Sequence, residues 1–455
     1  MKKRNRKALV AAGMAMAVML SGCGSNSGQA QNQTAAQEAQ TQQAASGNAG
    51  NEAAKETAGN PGDGGTIKLG GLYDRTGDFA LVGVQKYNAA QLAISEINEA
   101  GGLLGKQIEF VAPDTQSDNT RYQEMARKLI LEDKVVAIHG AMSSASREAI
   151  RPIMEENKML YFYNNQYEGG VASHYTFCTG AVPEQQVVPM MKDMIEKYGN
   201  KYYFIGADYN VGYGTFAWAE FIGNGLGAEC VGKEFVPLSV SQYASSIDKI
   251  KAANPDFVIV HLTGVTQSSF FGQWNASGSD LPPLCSTFLM VQGYEHKRFD
   301  PPALAGTFVT TAYTEELETP EAKEFTEKMY KMFPDMEYVG MEAESEYTGI
   351  YLWAEAVKRC GTTDVETVIA EMEKGITLEG MPCGKVVLLG DSHQCVKDIW
   401  SMHCDENHNL VADTCYPQSV PFWLSEVMGV DLRKEAPNVE LSLDEMPADA
   451  KMPEM

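Results

Sequence analysis

Residues 67–102 read IKLGGLYDRTGDFALVGVQKYNAAQLAISEINEAGG, and this stretch decides the fold class. Its first six residues form a short β-rich run, and a loop then leads into a helical pattern over Val84–Asn98. Gly101 and Gly102 stop that helix. One helical face carries the apolar residues Tyr87, Ala90, Ile94 and Ile97. A strand followed by such a helix is the repeating unit of a parallel sheet with crossover helices.

The same alternation of strand and helix continues through the body of the chain. A second set of units begins near Pro183, with a helix over Val187–Tyr198. This restart predicts an α/β protein with two doubly wound parallel-sheet lobes in preference to one long sheet. Besides the first strand, Ile67–Leu72, strands are predicted at Gln107–Ala112, Val135–Gly140, Leu160–Tyr163, Tyr202–Gly206, Val231–Val236 and Phe257–Leu262.

The N-terminus has the features of an export signal. Five basic residues within the first seven precede the apolar run Ala8–Leu20, which is too short to cross roughly 30 Å of hydrocarbon as a helix. The run ends in Leu-Ser-Gly-Cys, which resembles the bacterial lipobox and implies cleavage before Cys23 and attachment of lipid to it. The alternative is an ordinary signal peptide with a chance cysteine. We expect residues 1–23 to be the signal and lipobox, and residues 24–65, which are poor in charge and lack aromatic residues, to be a flexible linker.

Composition excludes one class of partner. The chain has 455 residues, with 36 Lys and Arg against 60 Asp and Glu, for a formal net charge of −24. Nucleic-acid affinity depends on neutralising phosphates with Lys and Arg, so no nucleic-acid partner is expected. The region between about Thr66 and Pro421 is long enough for two domains of ordinary size.

Four cysteines, Cys383, Cys395, Cys404 and Cys415, lie close together near the C-terminal end of the predicted folded region. An exported protein could oxidise them, so a disulfide and buried free thiols both stay open. The residues His403, Cys404 and His408 lack the second ligand cluster of a structural zinc site. We therefore expect no metal, and no other cofactor.

Catalytic signatures are missing from the sequence. The glycine-rich stretch 101–107 has no Ser or Thr after Lys106 and precedes a strand, so it predicts a turn and not a phosphate loop. The carboxylates Glu342, Glu344 and Glu346 fit a solvated helix face as well as an acid/base pair. No G-x-S-x-G or H-E-x-x-H motif occurs. The protein is not expected to be an enzyme, and an exported hydrolase is the remote alternative.

The loops after the predicted strands are the places to look for a ligand site. Ligands of open α/β sheets bind beyond the carboxyl ends of the strands, where backbone N–H groups and helix N-termini point outward. Ser143, Ser144 and Ser146 either cap the helix that runs to about Glu156, or contact ligand, or do both. The loops concerned are 73–80, 141–146, 164–169, 207–213 and 263–267, all rich in hydroxyl, amide and carboxylate side chains or tyrosine.

Several motifs together resemble the periplasmic binding proteins of type I fold that serve uptake of branched-chain amino acids, urea and short-chain amides. The resemblance covers nearly all of residues 66–415. Its most specific pieces are Leu92–Asn98 with Gly101-Gly102, Ser146-Arg147 with Pro152, Gln166–Gly169, Thr179–Ala181 with Pro183 and Gln185-Gln186, Asp208-Tyr209, and Pro237-Leu238. The sequence of residues 166–186 is most similar to the urea and amide branch of this family.

The resemblance implies a clamshell with a three-stranded hinge and a ligand between its lobes. Lobe motion would then sequester the ligand from water. The chain is expected to cross from one lobe to the other near Ala181, Thr311 and Leu388. The first lobe is expected at 66–181 and 312–388, the second at 182–311 and 389–425, and a loosely ordered acidic tail without a role at 426–455.

The resemblance also implies which residues contact the ligand. In the first lobe these are Ser143, Ser144, Tyr163 and Asn165. In the second lobe they are Asp208, Tyr209, Gly264 and Thr266. Three departures leave the ligand open among amides, urea-like compounds and amino acids. Met142 stands where the urea and amide branch usually has an aromatic residue, and the Asp that the urea branch has in the loop after Phe257–Leu262 is absent from Gly264-Val265-Thr266. Tyr213-Gly214 looks like the amino acid branch, in which Asp208 could hold an ammonium group.

These features predict a solute-binding lipoprotein on the extracytoplasmic face of a bacterial cell membrane. It would capture a small polar solute and deliver it to the permease subunits of an ABC transporter. The alternative is a ligand-sensing protein of the same fold. Cys23 favours uptake, because a cytoplasmic regulator would carry no export signal and a sensor ectodomain would continue into a membrane span.

Overall fold

The computed structural model describes residues 65–208, 210–262, 264–278, 280–287, 294–435, 437–447 and 450–453. All of these residues belong to one compact unit, Pro61–Met455. Cys23, the predicted linker up to residue 64, and Tyr209 lie outside the described residues, as does the side chain of Thr266. Within the described part, no helix is both long and apolar enough to span a membrane.

The first sheet has five parallel strands in the order β2-β1-β3-β4-β6. Five of the six residues of β1 are buried, because helices cover both faces of the sheet. The four strands predicted for this sheet are confirmed, with ends shifted by up to three residues, and a fifth parallel strand, β6, was not predicted. The strands are β1 Ile67–Leu72, β2 Ile108–Val111, β3 Ile138–Gly140, β4 Tyr161–Tyr163 and β6 Thr176–Cys178, with the two-residue strand β5 Val171–Ala172 between the last two.

Six helices accompany this sheet in the described residues. The first, α1, extends over Ala80–Glu99 and packs through its buried alanines and isoleucines against α10, which spans Met341–Cys360. The loop at 101–107 is a turn, closed by a bridge between Leu103 and Lys106. The other helices are α2 Asn119–Lys128, α3 Ser144–Glu156, α9 Pro320–Met332, α10 Met341–Cys360 and α11 Val365–Met372, with a π-helical turn at Leu129–Asp133.

The second sheet begins with five parallel strands in the order β8-β7-β9-β10-β11 and continues with antiparallel strands. Its parallel strands are β7 Lys201–Ala207, β8 Glu229–Val236, β9 Phe257–His261, β10 Leu284–Ser286 and β11 Phe308–Thr311. Its helices in the described part are α4 Pro183–Tyr198, α5 Asn210–Leu226, α6 Ala244–Ala253, α7 Gly264–Ala276 and α8 Glu295–Arg298. Two parallel-sheet lobes are therefore present, as predicted.

Antiparallel strands complete the second sheet, and the sequence analysis did not predict them. They are β12 Ile376–Met381, β13 Gly384–Leu388, β14 Cys395–Cys404 and β15 Leu410–Ser419. Strand β14 pairs with β11, β13 and β15. The chain passes from the first sheet to the second between β6 and β7, leaves the second after β11 for helices α9–α11, and returns through β13 and β14. The lobe boundaries proposed above stay a prediction.

Three carboxylates near the start of α10 are buried, so the interpretation of a solvated helix face is wrong for them. Glu342, Glu344 and Glu346 are each at most 1% exposed. Glu344 is paired with Lys397 of β14, at 2.8 Å between Oε2 and Nζ. Glu346 is paired with Lys86 of α1, at 3.7 Å. Buried charges are retained where a partner and hydrogen bonds satisfy them, and these pairs join α10 to α1 and to β14.

The segment after Ser425 was expected to be loosely ordered, and for its described residues that expectation is wrong. Strand β16, Val439–Glu440, pairs antiparallel with β5. The Leu441 N–H donates to the Gly170 carbonyl oxygen at 2.7 Å. Apolar side chains of the same segment pack on the second lobe, among them Leu441, Leu443, Met446 and Met452. Burial of these side chains away from water stabilises the position of the segment. The acidic composition of the segment gave no indication of this packing.

The cysteines after residue 65 are free thiols, so the disulfide among the last four is absent from the structure. They are Cys178, Cys230, Cys285, Cys360, Cys383, Cys395, Cys404 and Cys415. Most are buried and contribute to the core as small apolar side chains. Across the described ranges, no group of three His, Cys, Asp or Glu side chains is placed to hold a metal ion.

Candidate functional site

A cavity of about 320 Å³ lies at the carboxyl ends of the strands, between the two lobes. This volume is at the small end of the range for ligand sites, roughly 300–1,000 Å³. The first lobe contributes Phe79 before α1, the loop after β3, the start of α3, the end of β4 and the loop after β4. The second lobe contributes the start of α4, α5, the end of β9 and the loop after β10, and one further residue, Glu440, comes from β16.

The N-terminus of α3 forms one side of the cavity. Ser143 is its N-cap, and the Ser143 Oγ accepts from the Ser146 N–H at 3.0 Å in a capping box. Ser143, Ser144 and Ala145 all line the cavity. The first N–H groups of a helix have no intrahelical acceptor, and the helix dipole favours negative charge there. This side of the cavity suits a carbonyl or carboxylate oxygen, and the capping and ligand-contact interpretations of these serines are compatible.

Tyr163 and Asn165 line the cavity next to this helix. The Tyr163 hydroxyl donates to the Met142 carbonyl oxygen at 2.9 Å, and the Asn165 Nδ2 donates to the same oxygen at 2.7 Å. Both side chains are buried. Their polar ends therefore hold the loop before α3 in place, and the Tyr163 ring gives the cavity an aromatic wall.

A buried charge network lies behind Asn165. The Lys86 Nζ donates to the Ala141 carbonyl oxygen at 2.7 Å and to the Asn165 Oδ1 at 3.4 Å. Burial lowers the pKa of Lys86, although Glu346 opposes this shift. Burial likewise raises the pKa of Glu346 to about 7, against the effect of Lys86. Burial also lowers the pKa of the neighbouring His139 to about 3.

The folded protein should resist protonation of His139, and this gives a prediction. Its usual pKa is about 6.5, so between about pH 6.5 and 3 the unfolded chain binds one more proton than the folded one, and stability falls as pH falls. Glu346 titrates in the opposite sense, so the effect is isolated by comparing wild type with His139→Phe. Chemical denaturation should show wild type losing about 2 kcal/mol relative to this variant between pH 6.5 and 4.5. A difference that does not change with pH would contradict the burial of a neutral His139.

Arg147 organises the carboxylates beside the cavity. Its guanidinium is fully buried and lies 3.3 Å from the Glu168 Oε1 and 2.9 Å from the Glu148 Oε1, and it also pairs with Glu440. The Ser144 hydroxyl donates to the Glu168 Oε2 at 2.6 Å. Burial would raise the pKa of Glu168, but Arg147 and these hydrogen bonds hold it below its usual range. The Ser144 hydroxyl proton is thus donated to Glu168. A ligand can contact only the lone pairs of the Ser144 hydroxyl and the Ser144 backbone N–H.

The second-lobe residues predicted from the sequence are placed differently. Asp208 is exposed, accepts a hydrogen bond from the Tyr213 hydroxyl, and does not line the cavity. Gly264 begins α7, directly after the strand end that the sequence analysis indicated. Tyr209 and the side chain of Thr266 are outside the described residues. The described second-lobe side chains at the cavity are Pro183, Val187, Thr215, Trp218, His261 and Thr287.

Two contacts join the lobes at the cavity. The Gln166 Nε2 donates to the Thr287 carbonyl oxygen at 3.2 Å, and the Trp218 Nε1 donates to the Glu168 carbonyl oxygen at 3.1 Å. The sequence analysis missed Trp218, Glu168 and Glu440. Glu168 lies in a loop already singled out, so its position could have been found. Glu440 offers no such signal, because it reaches the cavity only through the pairing of β16 with β5.

Two parallel-sheet lobes, repeated crossings between them and a cavity at the facing strand ends define the two-lobed ligand-binding proteins of type I fold. The sequence profile described as periplasmic binding protein matches residues 66–409. The chain therefore belongs to the periplasmic binding protein family.

Individual relatives are more distant. The Leu/Ile/Val-binding protein homolog 7 of Brucella melitensis biotype 1 is 35% identical over 96 residues, which is 21% of this chain and 24% of that protein. A solute-binding protein of an ABC transporter from Rhodopseudomonas palustris, solved with 3,4-dihydroxybenzoic acid, is 22% identical with a TM-score of 0.68, covering 78% of this chain and 98% of the other. The branched-chain amino acid binding protein LivJ from Streptococcus pneumoniae, solved with isoleucine, is 20% identical with a TM-score of 0.64, covering 77% and 99%. These structures share the fold, and all three relatives are binding proteins, in agreement with the prediction that the chain is not an enzyme.

Proposed function

We propose that this protein is an extracytoplasmic solute-binding component of an ABC importer, which captures a small polar solute and delivers it to permease subunits. The observation that carries the proposal is the cavity between the lobes, with the N-terminus of α3 on one side and aromatic walls on the other. Amino acids, short amides and urea-like compounds are the solute classes whose size and polar groups suit it. The chain would be held at the membrane by lipid on Cys23.

Capture follows from the geometry of the two lobes. A carbonyl or carboxylate oxygen of the solute would accept from the N–H groups of Ser144 and Ala145 at the start of α3. Its apolar part would lie against the rings of Tyr163 and Trp218, which come from different lobes. A solute that contacts both lobes stabilises their closed arrangement, because it binds that arrangement more tightly than an open one. Closure would give the permease a surface that differs between loaded and empty protein.

Replacement of Ser144 tests this assignment. We expect Ser144→Ala to weaken solute binding by roughly 1–3 kcal/mol, because the hydroxyl lone pairs that face the solute are lost and Glu168, which also lines the cavity, loses its donor. The measurement is the thermal shift of purified protein with a panel of amino acids, amides and ureas, since a ligand of the folded state raises the unfolding temperature. Titration calorimetry then follows for each solute that shifts wild type.

The matched control is Ser245→Ala on the exposed face of α6, which should bind like wild type. If no solute of the panel raises the unfolding temperature of the wild-type protein, the proposed solute classes are wrong. If solutes bind but Ser144→Ala leaves their dissociation constants unchanged, the Ser144 hydroxyl does not contact the solute.

A further inference from the structure

The C-terminal segment 437–447 bridges the two lobes along one side of the cleft. On the first-lobe side, β16 adds to β5, and Gly170 accepts the Leu441 N–H. A side chain at Gly170 has no room, because a Cβ atom there would lie 1.8 Å from the Leu441 carbonyl oxygen. This close approach of two backbones shows that the segment is fitted to the loop after β4.

On the second-lobe side, the same segment rests on apolar helices. Leu441, Leu443 and Met446 pack against the core that includes Met191 of α4 and Trp218 of α5. Apolar burial of this kind stabilises the position of a segment without any directional bond. The segment is therefore attached to both lobes, with Glu440 between its two attachments.

Glu440 is directed at Arg147 and lines the ligand cavity. Its side chain keeps 27% of its surface exposed, whereas the Arg147 partner has none. Besides Arg147 of α3, the charged groups that face Glu440 are Glu168 in the loop after β4 and Glu148 of α3. The next arginine of α3, Arg151, pairs with Glu148 and donates to Asn438 of the same C-terminal segment.

The charges around the cavity do not balance when all of its carboxylates are ionised. Three carboxylates, on Glu148, Glu168 and Glu440, line it, while no lysine or arginine is among its described lining residues. The two arginines behind them, Arg147 and Arg151, leave one negative charge in excess when all three carboxylates are ionised. Burial raises the pKa of Glu440, and the adjacent Glu168 raises it further. A positive charge in the cavity would favour the ionised form of Glu440 and remove this excess.

We propose that the C-terminal segment 437–447 forms a wall of the ligand cleft, and that Glu440 selects a solute with a positively charged nitrogen. The inference rests on the proposed function and narrows it. The start of α3 receives an oxygen acceptor at one end of the solute, and the carboxylates of Glu168 and Glu440 receive the cationic nitrogen. An α-amino acid carries both groups, whereas a short amide, urea or simple carboxylic acid carries only the first.

A purely structural role for Glu440 would have other consequences. If it served only to fasten the segment through Arg147, its replacement would lower stability and would weaken all solutes alike. A role in selection instead changes the ratio of affinities between a cationic solute and its uncharged or anionic analogue. The ratio is therefore the quantity to measure.

The experiment uses the full chain and pairs of probes that differ in one ammonium group, namely L-leucine with 4-methylpentanoate and L-phenylalanine with 3-phenylpropanoate, together with acetamide and urea. In titration calorimetry, wild type should bind an amino acid of the set about 30-fold or more tightly than its partner without the ammonium group. Glu440→Gln, which keeps the shape of the side chain, should weaken the binding of that amino acid about tenfold or more. It should also reduce the ratio of affinities between the amino acid and its partner without the ammonium group. Glu435→Gln, an exposed change in the same C-terminal region, should behave like wild type.

A second variant guards against a misfolded Glu440→Gln protein. Gly170→Ala displaces β16 from β5 without changing a residue that lines the cavity, and it should reduce the same ratio, while Gly272→Ala, with no atom within 4 Å of the added Cβ, should not. If the probes without an ammonium group bind wild type as tightly as the amino acids, or if the ratio is unchanged in both Glu440→Gln and Gly170→Ala, the inference is overturned and the proposed function stands. If no probe binds and no small molecule is released from the native protein, the proposed function fails together with it.

Discussion

Lys397→Met should lower the free energy of unfolding by about 3–5 kcal/mol, because it leaves the Glu344 carboxylate buried without its partner. The two side chains have no exposed surface, and their charged atoms lie 2.8 Å apart. Burial alone would lower the pKa of Lys397, but Glu344 raises it above its usual value, so the lysine is charged in the folded protein. The pair joins β14 to α10, and its loss weakens the contact between the crossing strand and the first lobe. Equilibrium denaturation by urea measures the effect.

The control for this prediction is Lys374→Met, an exposed lysine paired with Glu371, for which the change should be within about 1 kcal/mol. The double variant Lys397→Met with Glu344→Gln should recover part of the loss, because a neutral amide remains able to bond Thr348. A single variant as stable as wild type would show that the buried pair contributes nothing to the fold.

Arg147→Met should lower the unfolding free energy by about 3 kcal/mol, a smaller value than for Lys397 because the carboxylates around Arg147 are a quarter exposed to water. Without the guanidinium, Glu168 and Glu440 repel each other at short range when both are ionised. The repulsion should also detach β16 from β5, which hydrogen exchange of residues 437–447 would report as faster amide exchange.

The exposed Arg127→Met on α2 is the matched control and should change neither stability nor exchange. Adding Glu168→Gln and Glu440→Gln to Arg147→Met removes the repulsion and should restore much of the lost stability. If Arg147→Met leaves the C-terminal segment as protected as in wild type, apolar packing and the backbone pairing with β5 hold the segment, and the ion pairs are not needed to attach it.

Seven of the ten parallel strands in the described residues, and the first helices, were predictable because their signal is local, whereas β6, β10 and β11 were not predicted. Most of the predicted strands are short runs rich in apolar, β-branched or aromatic residues, and the predicted helices that follow them have one apolar face. The start of α1 was placed at Val84, four residues late, because its N-cap, Phe79, makes no side-chain capping bond and so gives no signal. Strand β15 was missed for a different reason. Most of its side chains are at least partly exposed, so it lacks a continuous apolar run.

The first-lobe side of the candidate site was predictable from the sequence. The position of Glu440 at the cavity was not. Ser143 and Ser144 follow a strand and begin a helix, which is a local pattern with a known geometry. The burial of Glu344 and Glu346 depends on Lys397 and Lys86, which are distant in sequence. The place of Glu440 depends on a pairing of two-residue strands and on a salt bridge with Arg147. Nothing in the local sequence around Glu440 indicates either contact.

The most direct test of the account is mass spectrometry of small molecules released from the full chain after purification under native conditions, with wild type and Ser144→Ala analysed in parallel. The account predicts that wild type releases one small polar solute in stoichiometric amount, and that the variant releases much less of it. Equal release of the same molecules from both proteins, or release of none from wild type together with no response to the solute panel, would contradict the claim that the cleft is a solute-binding site.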